Sequence, residues 1–160
     1  MPNRTTPLIV TADRAQVHSL RLGEARILAD GEQSAGAWWM GHFREDPGFA
    51  TPLHVHPQMD EYIFVLSGVV SLFAGGGWHD LAGGTLAAAP RGMAHAMANR
   101  GSQPAWILGW GSPAGFEGFF AAQAELLKRI AAADPELPVE LARILRQHDT
   151  EVLGPPPEQG

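Results

Sequence analysis

The sequence contains no cysteine and only one lysine, and both absences limit its chemistry. Without cysteine, the 160-residue chain forms no disulfide, no thiolate zinc site and no cysteine nucleophile, and a reducing cytoplasmic location is expected. The single lysine, Lys128, falls in a predicted surface helix, which argues against Schiff-base chemistry and a Walker-type phosphate loop. The net charge of −6 disfavours nucleic acid and anionic membranes as partners.

Long apolar runs are also missing. The longest stretch without a charged residue, 62–79, is interrupted by Gly68 and by three consecutive glycines at 75–77, so no transmembrane helix is expected. Residues 1–7 lack the apolar segment of a signal peptide, so no secretory signal is expected either. The length, with 45% hydrophobic and 18% charged residues, predicts one globular domain.

The first two-thirds of the sequence predict a mainly β protein. Short apolar segments with β-branched and aromatic residues recur between glycine or proline breaks, which is typical of a sandwich or barrel. The predicted strands are 25–29, 36–43, 61–67, 69–73, 85–89, 95–98 and 104–110.

The last third predicts two helices. Ser112-Pro113 is typical of an N-cap followed by proline at the first helical position. Apolar residues from Phe116 to Ile130 then follow helical spacing, and a second amphipathic segment follows Pro138. We therefore predict a β-barrel region at 1–111, a helical extension packed on it at 112–150, and an extended tail at 151–160.

Two histidines, one glutamate and a third histidine form a candidate metal site. His54 and His56 are two residues apart, so on a strand both imidazoles face the same side, about 7 Å apart. Glu61 opens the next predicted strand, and His95 opens another after the turn at 90–92. Three imidazoles and a carboxylate suit a divalent first-row transition metal and leave one or two coordination positions for substrate or oxygen. The other histidines are expected to be structural or surface groups: His18, His42, His79 and His148.

Glycines and a proline surround these four residues at fixed spacings. The first string is Gly48, five residues, His54-Val55-His56, four residues, Glu61, six residues and Gly68. The second string is Gly84, five residues, Pro90-Arg91-Gly92, two residues, His95, three residues and Asn99. Both strings resemble the two signature motifs of the cupin superfamily, with a short spacing between the motifs at 48–68 and 84–99. The resemblance implies a jelly-roll barrel (a double-stranded β-helix) with the metal inside, in which the glycines occupy turns.

Segments outside the motifs resemble one group of single-domain bacterial cupins, the quercetin 2,3-dioxygenase-like group. The resemblance covers about residues 20–157 and includes 112–120 and 151–156. It implies one divalent ion (Fe, Mn, Ni, Co, Cu or Zn) held by His54, His56, Glu61 and His95. It also implies dioxygenation, with O2, of a small aromatic or enediol substrate such as a flavonol, and a homodimer is expected. Glu61 is expected to accept the substrate proton, or to serve as a ligand only.

The expected substrate pocket is apolar. Strand alternation places Ile63, Val65 and Met97 on the face of the metal ligands. Either Met40 or Trp39 is expected beside them, and the predicted substrate-binding residues are Met40, Ile63, Met97 and Phe116. Phe116, Phe119 and Phe120 are candidates to close the mouth of the barrel. The alternative, a helix packed on the outer face of the sheet, is expected for at least two of them.

Two other function classes remain open. One is a metal-dependent isomerase, cyclase or lyase of a carbonyl compound, without redox chemistry, in which Glu61 carries the proton. The other is a metal-containing protein that binds a small ligand without catalysis. The absence of a cluster of basic residues disfavours phosphorylated substrates in all three cases.

Overall fold

Two antiparallel β-sheets make up most of the molecule in the computed structural model, which describes residues 6–158. The strands are β1 (Val17–Leu20), β2 (Gly23–Ala29), β3 (Trp39–Glu45), β4 (Leu53–Val55), β5 (Asp60–Ser67), β6 (Val69–Ala74), β7 (Gly77–Ala82), β8 (Leu86–Ala89), β9 (His95–Ala98), β10 (Ala105–Ser112) and β11 (Glu151–Gly154). One sheet has the order β1-β2-β3-β10-β5-β8, and the other has the order β11-β4-β9-β6-β7. This arrangement confirms the predicted jelly-roll barrel. Residues 1–5 and 159–160, the outer ends of the predicted barrel region and tail, lie outside the described residues.

Each predicted strand corresponds to a strand of the structure, with shifted ends. The largest shift is at β3, which begins at Trp39 because the helical turn α1 (Gly31–Ser34) precedes it. The Asp30 side chain caps this turn by accepting hydrogen bonds from the backbone N–H groups of Glu32 and Gln33. Strands β1 and β7 were not predicted, because each joins the edge of a sheet and lacks a clear apolar pattern.

Two helices, α2 (Gly118–Leu127) and α3 (Leu137–Gln147), follow β10 as predicted. The expected N-cap at Ser112 is wrong. Ser112 is the last residue of β10, and its hydroxyl donates to the carbonyl oxygen of Ala37. The side chain of Glu117 instead holds the segment before α2, where it accepts hydrogen bonds from the backbone N–H groups of Gly31 and Gly115.

The predicted tail forms a strand. β11 pairs antiparallel with β4, with Glu151 opposite Val55 and Val152 opposite His54. It therefore covers the edge of the sheet that carries two of the candidate metal ligands. The contact explains why a proline-rich segment after a helix belongs to the barrel.

An aromatic cluster joins helix α2 to the inner face of β3. The ring centroids of Trp39 and Phe116 are 5.6 Å apart, those of Trp39 and Phe120 are 5.7 Å apart, and those of Phe43 and Phe120 are 4.9 Å apart. All of these side chains are buried. The helical extension is therefore part of the main core rather than a separate layer.

Glycine at position 111 makes room for this cluster. Gly111 lies between Trp39 of β3 and Glu61 of β5 in the sheet. A Cβ atom there would collide with Met59 Sδ and with Trp39 Nε1. The close approach of the two side chains to the backbone of β10 therefore requires glycine.

We expect Gly111→Ala to lower the free energy of unfolding by about 1–3 kcal/mol, because the added methyl group overpacks the core beside Trp39. Urea unfolding checks this expectation. Gly77→Ala is the matched control, since a Cβ at Gly77, also in a strand, has no atom within 4 Å. Equal effects of the two substitutions would contradict the steric explanation.

Candidate metal centre

The structure brings the four predicted ligands together. One ligand atom from each of His54, His56, Glu61 and His95 can be chosen so that all lie within 4.8 Å of one another. His54 of β4 lies directly opposite His95 of β9, and their ring centroids are 4.3 Å apart. The two sheets contribute jointly, because Glu61 belongs to β5 of the other sheet.

Backbone carbonyl groups fix the orientation of all three imidazoles. The Nδ1–H groups of His54 and His95 each donate to a carbonyl oxygen at 2.9 Å, that of Pro52 and that of Met93, respectively. Nδ1 of His56 donates to the carbonyl oxygen of Asp149 at 3.1 Å. A carbonyl oxygen only accepts, so Nδ1 carries the proton and Nε2 of each ring is available to a metal.

The connection between α3 and β11 positions His56. Besides the Asp149 carbonyl, the buried hydroxyl of Thr150 lies 3.1 Å from His56 Nδ1. The Asp149 carboxylate accepts a hydrogen bond from the backbone N–H of Gln58 at 3.0 Å. These contacts span more than 90 residues, and no local pattern in the sequence indicates them.

The ligand set fits a divalent transition-metal ion. Nε2 of His56 is buried, has no hydrogen-bond partner, and lies 3.4 Å from Glu61 Oε2. A buried polar atom without a partner is costly, and a cation between the imidazoles and the carboxylate supplies the missing interaction. Three neutral nitrogen donors and one carboxylate suit Fe, Mn, Co, Ni, Cu or Zn.

The protonation states of His54 and Glu61 favour metal binding. His95 differs: burial alone would lower its pKa, but its hydrogen bond to Glu61 raises it, so a metal has to displace the proton between them. Burial and the neighbouring His95 lower the pKa of His54 to about 4. Burial alone would raise the pKa of Glu61, but the imidazoles of His56 and His95 outweigh it and hold this pKa well below the usual range. At neutral pH His54 is therefore uncharged and Glu61 is ionised, the forms in which these groups bind a metal.

A cavity of about 850 Å³ reaches the metal ligands. His54, Glu61 and His95 contribute to its wall, and most of the remaining wall is apolar. Of the predicted substrate residues, Ile63, Met97 and Phe116 line this cavity. Val65 is buried in the core without lining it.

The predicted role of Met40 is not supported. Burial alternates along β3, and Trp39 rather than Met40 faces inward and lines the cavity. The sequence left these two residues as alternatives because alternation fixes which residues share a face but not which face is inside. The register shift of β2 against β3 near Met40 adds to that ambiguity.

Both helices close the cavity on one side. Phe116, Phe119 and Phe120 all line it, so the expectation that at least two of them pack on the outer face of the sheet is wrong. Leu137, Leu141 and Leu145 of α3 also line the cavity. Their spacing of four residues places them on one face of the helix.

The other histidines lie outside the metal cluster, as expected. His42 stacks on Trp106, His79 contacts the carbonyl oxygen of Ala74, and His148 contacts the carbonyl oxygen of Gly115. His18 lies on β1, at the edge of the sheet.

The expected turn at 90–92 is tied to the strand that carries Glu61. Arg91 is half exposed, and its guanidinium forms an ion pair with Asp60 at 2.8 Å. Asp60 directly precedes Glu61, and Arg91 lies four residues before His95. This pair therefore links the two sequence motifs that supply the metal ligands.

Besides Glu61 and Asp134, the cavity wall contains the buried acidic residue Glu45, which is not among the residues predicted from the sequence. The residue is 2% exposed, and its Oε2 atom has no hydrogen-bond partner. Burial, with smaller contributions from the charges of Asp46 and Glu61, raises the pKa of Glu45 to about 8. Its inward position follows from the alternation of Trp39, Phe43 and Glu45 on β3, but the predicted strand ended at Phe43.

The raised pKa of Glu45 predicts a loss of stability as the pH rises from about 4.5 to about 8. Between its ordinary pKa of 4.5 and about 8, the unfolded chain loses the Glu45 proton while the folded protein keeps it, so stability falls as pH rises. The total loss attributable to Glu45 is of the order of 3–5 kcal/mol. We expect Glu45→Gln to remove this part of the pH dependence.

Urea unfolding between pH 5 and pH 9 measures this effect. Glu140→Gln is the control, because Glu140 lies on helix α3, is paired with Arg143 at 2.8 Å and does not line the cavity. Parallel stability curves for wild type and Glu45→Gln would show that Glu45 ionises normally.

The fold and the site together are those of a jelly-roll β protein with three imidazoles and a carboxylate gathered inside the barrel. Residues 41–110 match the family described as "Cupin domain", and the chain has the cupin fold. No curated protein sequence matches the chain. Among residues 6–158, every helix is too short or too polar to cross a membrane.

Solved structures share this fold at low sequence identity. A sugar phosphate isomerase from a cupin superfamily, from Silicibacter pomeroyi, is 23% identical with a TM-score of 0.56, over 67% of this chain and 76% of that one. The polyketide cyclase RemF from Streptomyces resistomycificus is 22% identical with a TM-score of 0.59, over 67% and 80% of the two chains. A predicted oxalate decarboxylase from Thermotoga maritima is 18% identical with a TM-score of 0.60, over 66% and 98%.

Proposed function

We propose that this protein is a metal-dependent dioxygenase that acts on a small aromatic or enediol substrate of the flavonol type. The observation that carries the proposal is the apolar cavity of about 850 Å³ that reaches three imidazoles and one carboxylate. This volume lies in the range of small-molecule sites. The resemblance of residues 112–120 and 151–156 to quercetin 2,3-dioxygenase-like cupins supports the same substrate class.

The metal ligands and the cavity wall have separate roles in the proposed reaction. A divalent ion held by His54, His56, Glu61 and His95 supplies Lewis acidity toward a substrate oxygen and, if redox active, electron transfer with dioxygen. Glu61 would accept the proton of the substrate hydroxyl, since its carboxyl group both lines the cavity and belongs to the ligand cluster. Trp39 and Phe116 pack against an aromatic substrate and exclude water from it.

The scarcity of positive charge in the cavity wall argues against sugar phosphates as substrates. Within the described part of the chain, Arg21 is the only basic residue in the cavity wall. Phosphate recognition ordinarily uses several arginine, lysine or backbone N–H groups. The substrate class is therefore proposed to differ from that of the isomerase with the same fold.

A cyclase, isomerase or lyase of a carbonyl compound is the second candidate. The structural similarity to the polyketide cyclase RemF favours it, since that enzyme shares the fold. In this reaction Glu61 takes a proton from one substrate atom and returns it to another, and no oxidant is consumed. A protein that only binds a small ligand is the third candidate.

Oxygen uptake distinguishes these functions. Protein loaded separately with Fe, Mn, Co, Ni, Cu or Zn is mixed with a flavonol or a catechol, and oxygen consumption is compared with that of the free metal ion. The proposal predicts uptake well above the free-ion rate with at least one metal, and loss of that excess in His56→Ala. Turnover under nitrogen would favour the second candidate, and absence of turnover in air and under nitrogen would favour the third.

A further inference from the structure

The carboxyl group of Glu45 is a polar group of the cavity outside the metal centre. Glu45 is the last residue of β3, on the same inward face as Trp39 and Phe43. It lines the cavity that Glu61 also lines, and it is 2% exposed. It is therefore available to a molecule inside the cavity and shielded from bulk water.

The sheet provides no partner for this carboxyl group. The residues opposite Glu45 are Gly23 on β2 and Ala105 on β10, and neither has a polar side chain. Asn99 donates a hydrogen bond to the backbone carbonyl of Glu45, not to its carboxyl group. Oε2 is left without a hydrogen bond. An apolar side chain would satisfy this environment better, so stability does not explain the carboxyl group.

The neighbouring residue, Asp46, differs from Glu45 because its carboxylate has a partner. Asp46 is partly exposed and forms an ion pair with Arg44. A surface carboxylate at this end of β3 thus has a partner, whereas the buried one has none. Oε2 of Glu45 has no protein partner, and the residue lies in the cavity wall.

Glu45 and Glu61 lie toward opposite ends of β10. Gly111 of β10 is opposite Glu61, and Ala105 at its other end is opposite Glu45. Between these levels the cavity wall contains the apolar side chains of Phe43, Ile63 and Ile107. Along β10 the cavity wall is thus apolar in the middle, with Glu61 toward one end and Glu45 toward the other.

The protonation state of Glu45 suits a hydrogen-bond donor. Because burial raises its pKa, the carboxyl group keeps its proton at neutral pH. A neutral carboxyl group donates through O–H and accepts through C=O. An uncharged hydroxyl or carbonyl oxygen of a ligand is the partner that this group accommodates without a counter-ion.

We propose that Glu45 is a specificity residue that hydrogen-bonds a hydroxyl or carbonyl oxygen at the end of the substrate remote from the metal. This inference rests on the proposed function. It narrows the substrate to an elongated aromatic compound with oxygen atoms at both ends, one for the metal and one for Glu45.

Binding of two matched flavonols to the zinc-loaded protein tests the proposal without turnover. 3-Hydroxyflavone carries only the oxygen atoms that face the metal, and 3,4′-dihydroxyflavone adds a hydroxyl group at the far end. By calorimetry, the wild type is expected to bind the second compound about tenfold more tightly. Glu45→Leu removes this preference, and Glu45→Gln, whose amide still donates and accepts, keeps it within about threefold.

An infrared measurement tests the same proposal without using the Glu45→Leu variant. The infrared band of a neutral carboxyl carbonyl, assigned to Glu45 by its loss in Glu45→Gln, is expected to shift when 3,4′-dihydroxyflavone binds. 3-Hydroxyflavone is expected to leave it unchanged. Glu140→Gln, whose side chain is paired with Arg143 outside the cavity, is the control and retains both the band and the preference.

The outcomes separate the two proposals. If both flavonols bind but Glu45→Leu keeps the wild-type preference, or the band does not shift, the role of Glu45 is wrong and the proposed function stands. If neither flavonol binds to the zinc-loaded protein, the proposed substrate class is wrong and the role of Glu45 falls with it.

Discussion

Replacing His56 with alanine is expected to weaken divalent metal binding by at least about 100-fold while the barrel stays folded. The loss of a group that only orients a ligand already costs about 10–100-fold in affinity, and here a ligand itself is removed. His56 is also the imidazole that the connection between α3 and β11 holds in place through Asp149 and Thr150. Competition with a chelator measures the affinity, and circular dichroism checks the fold.

His79→Ala is the matched control for this substitution. His79 lies on β7, contacts the carbonyl oxygen of Ala74, and is outside the ligand cluster. It is expected to leave the affinity unchanged. Wild-type affinity in folded His56→Ala would show that the ion is held without this imidazole and would remove it from the ligand set.

The metal site could be predicted from the sequence because its signals are local. Two histidines two residues apart share a face of any strand, and the glycines around them fall at turns. Gly48, Gly68, Gly84 and Gly92 all have positive φ angles, between 78° and 89°, which favour glycine. Such restrictions act within a few residues, so they are visible without the fold.

The wall of the cavity could not be predicted to the same degree because it depends on distant contacts. The choice between Trp39 and Met40 depends on which face of β3 meets helix α2. The inward position of Glu45 depends on β3 continuing two residues beyond its last apolar residue. The role of Thr150 depends on β11 pairing with β4, almost 100 residues earlier in the chain.

Ser112 shows how a tertiary contact overrides a local signal. Serine followed by proline is typical of a helix start, but Ser112 lies opposite Asp60 in the pairing of β10 with β5. The strand therefore continues through the position where the sequence predicted a helix cap, and α2 begins only at Gly118. Sheet pairing across the core outweighs a capping preference of about 1 kcal/mol.

Substitution of Glu61 by glutamine is expected to reduce turnover by about 10²–10⁴-fold while much of the metal remains bound. Glutamine has the shape of glutamate and keeps an oxygen donor, and the three imidazoles are still oriented by backbone carbonyls. The amide, however, does not accept the substrate proton, and general bases contribute rate factors of this size. Metal content and turnover are measured on the same preparation, so that the rate is expressed per bound ion.

Glu140→Gln is the matched control, because Glu140 is paired with Arg143 on helix α3 and does not line the cavity. It is expected to retain wild-type turnover.

In Glu61→Gln, the loss of turnover compared with the loss of bound metal distinguishes the two roles of Glu61. A large fall in rate per bound ion is the result expected for a base, whereas a residue that only holds the metal is expected to act mainly on occupancy. Equal falls in metal content and total turnover would leave the rate per bound ion unchanged and would restrict Glu61 to the ligand role. The proton of the substrate hydroxyl would then have to pass to a group other than the carboxylate at the metal.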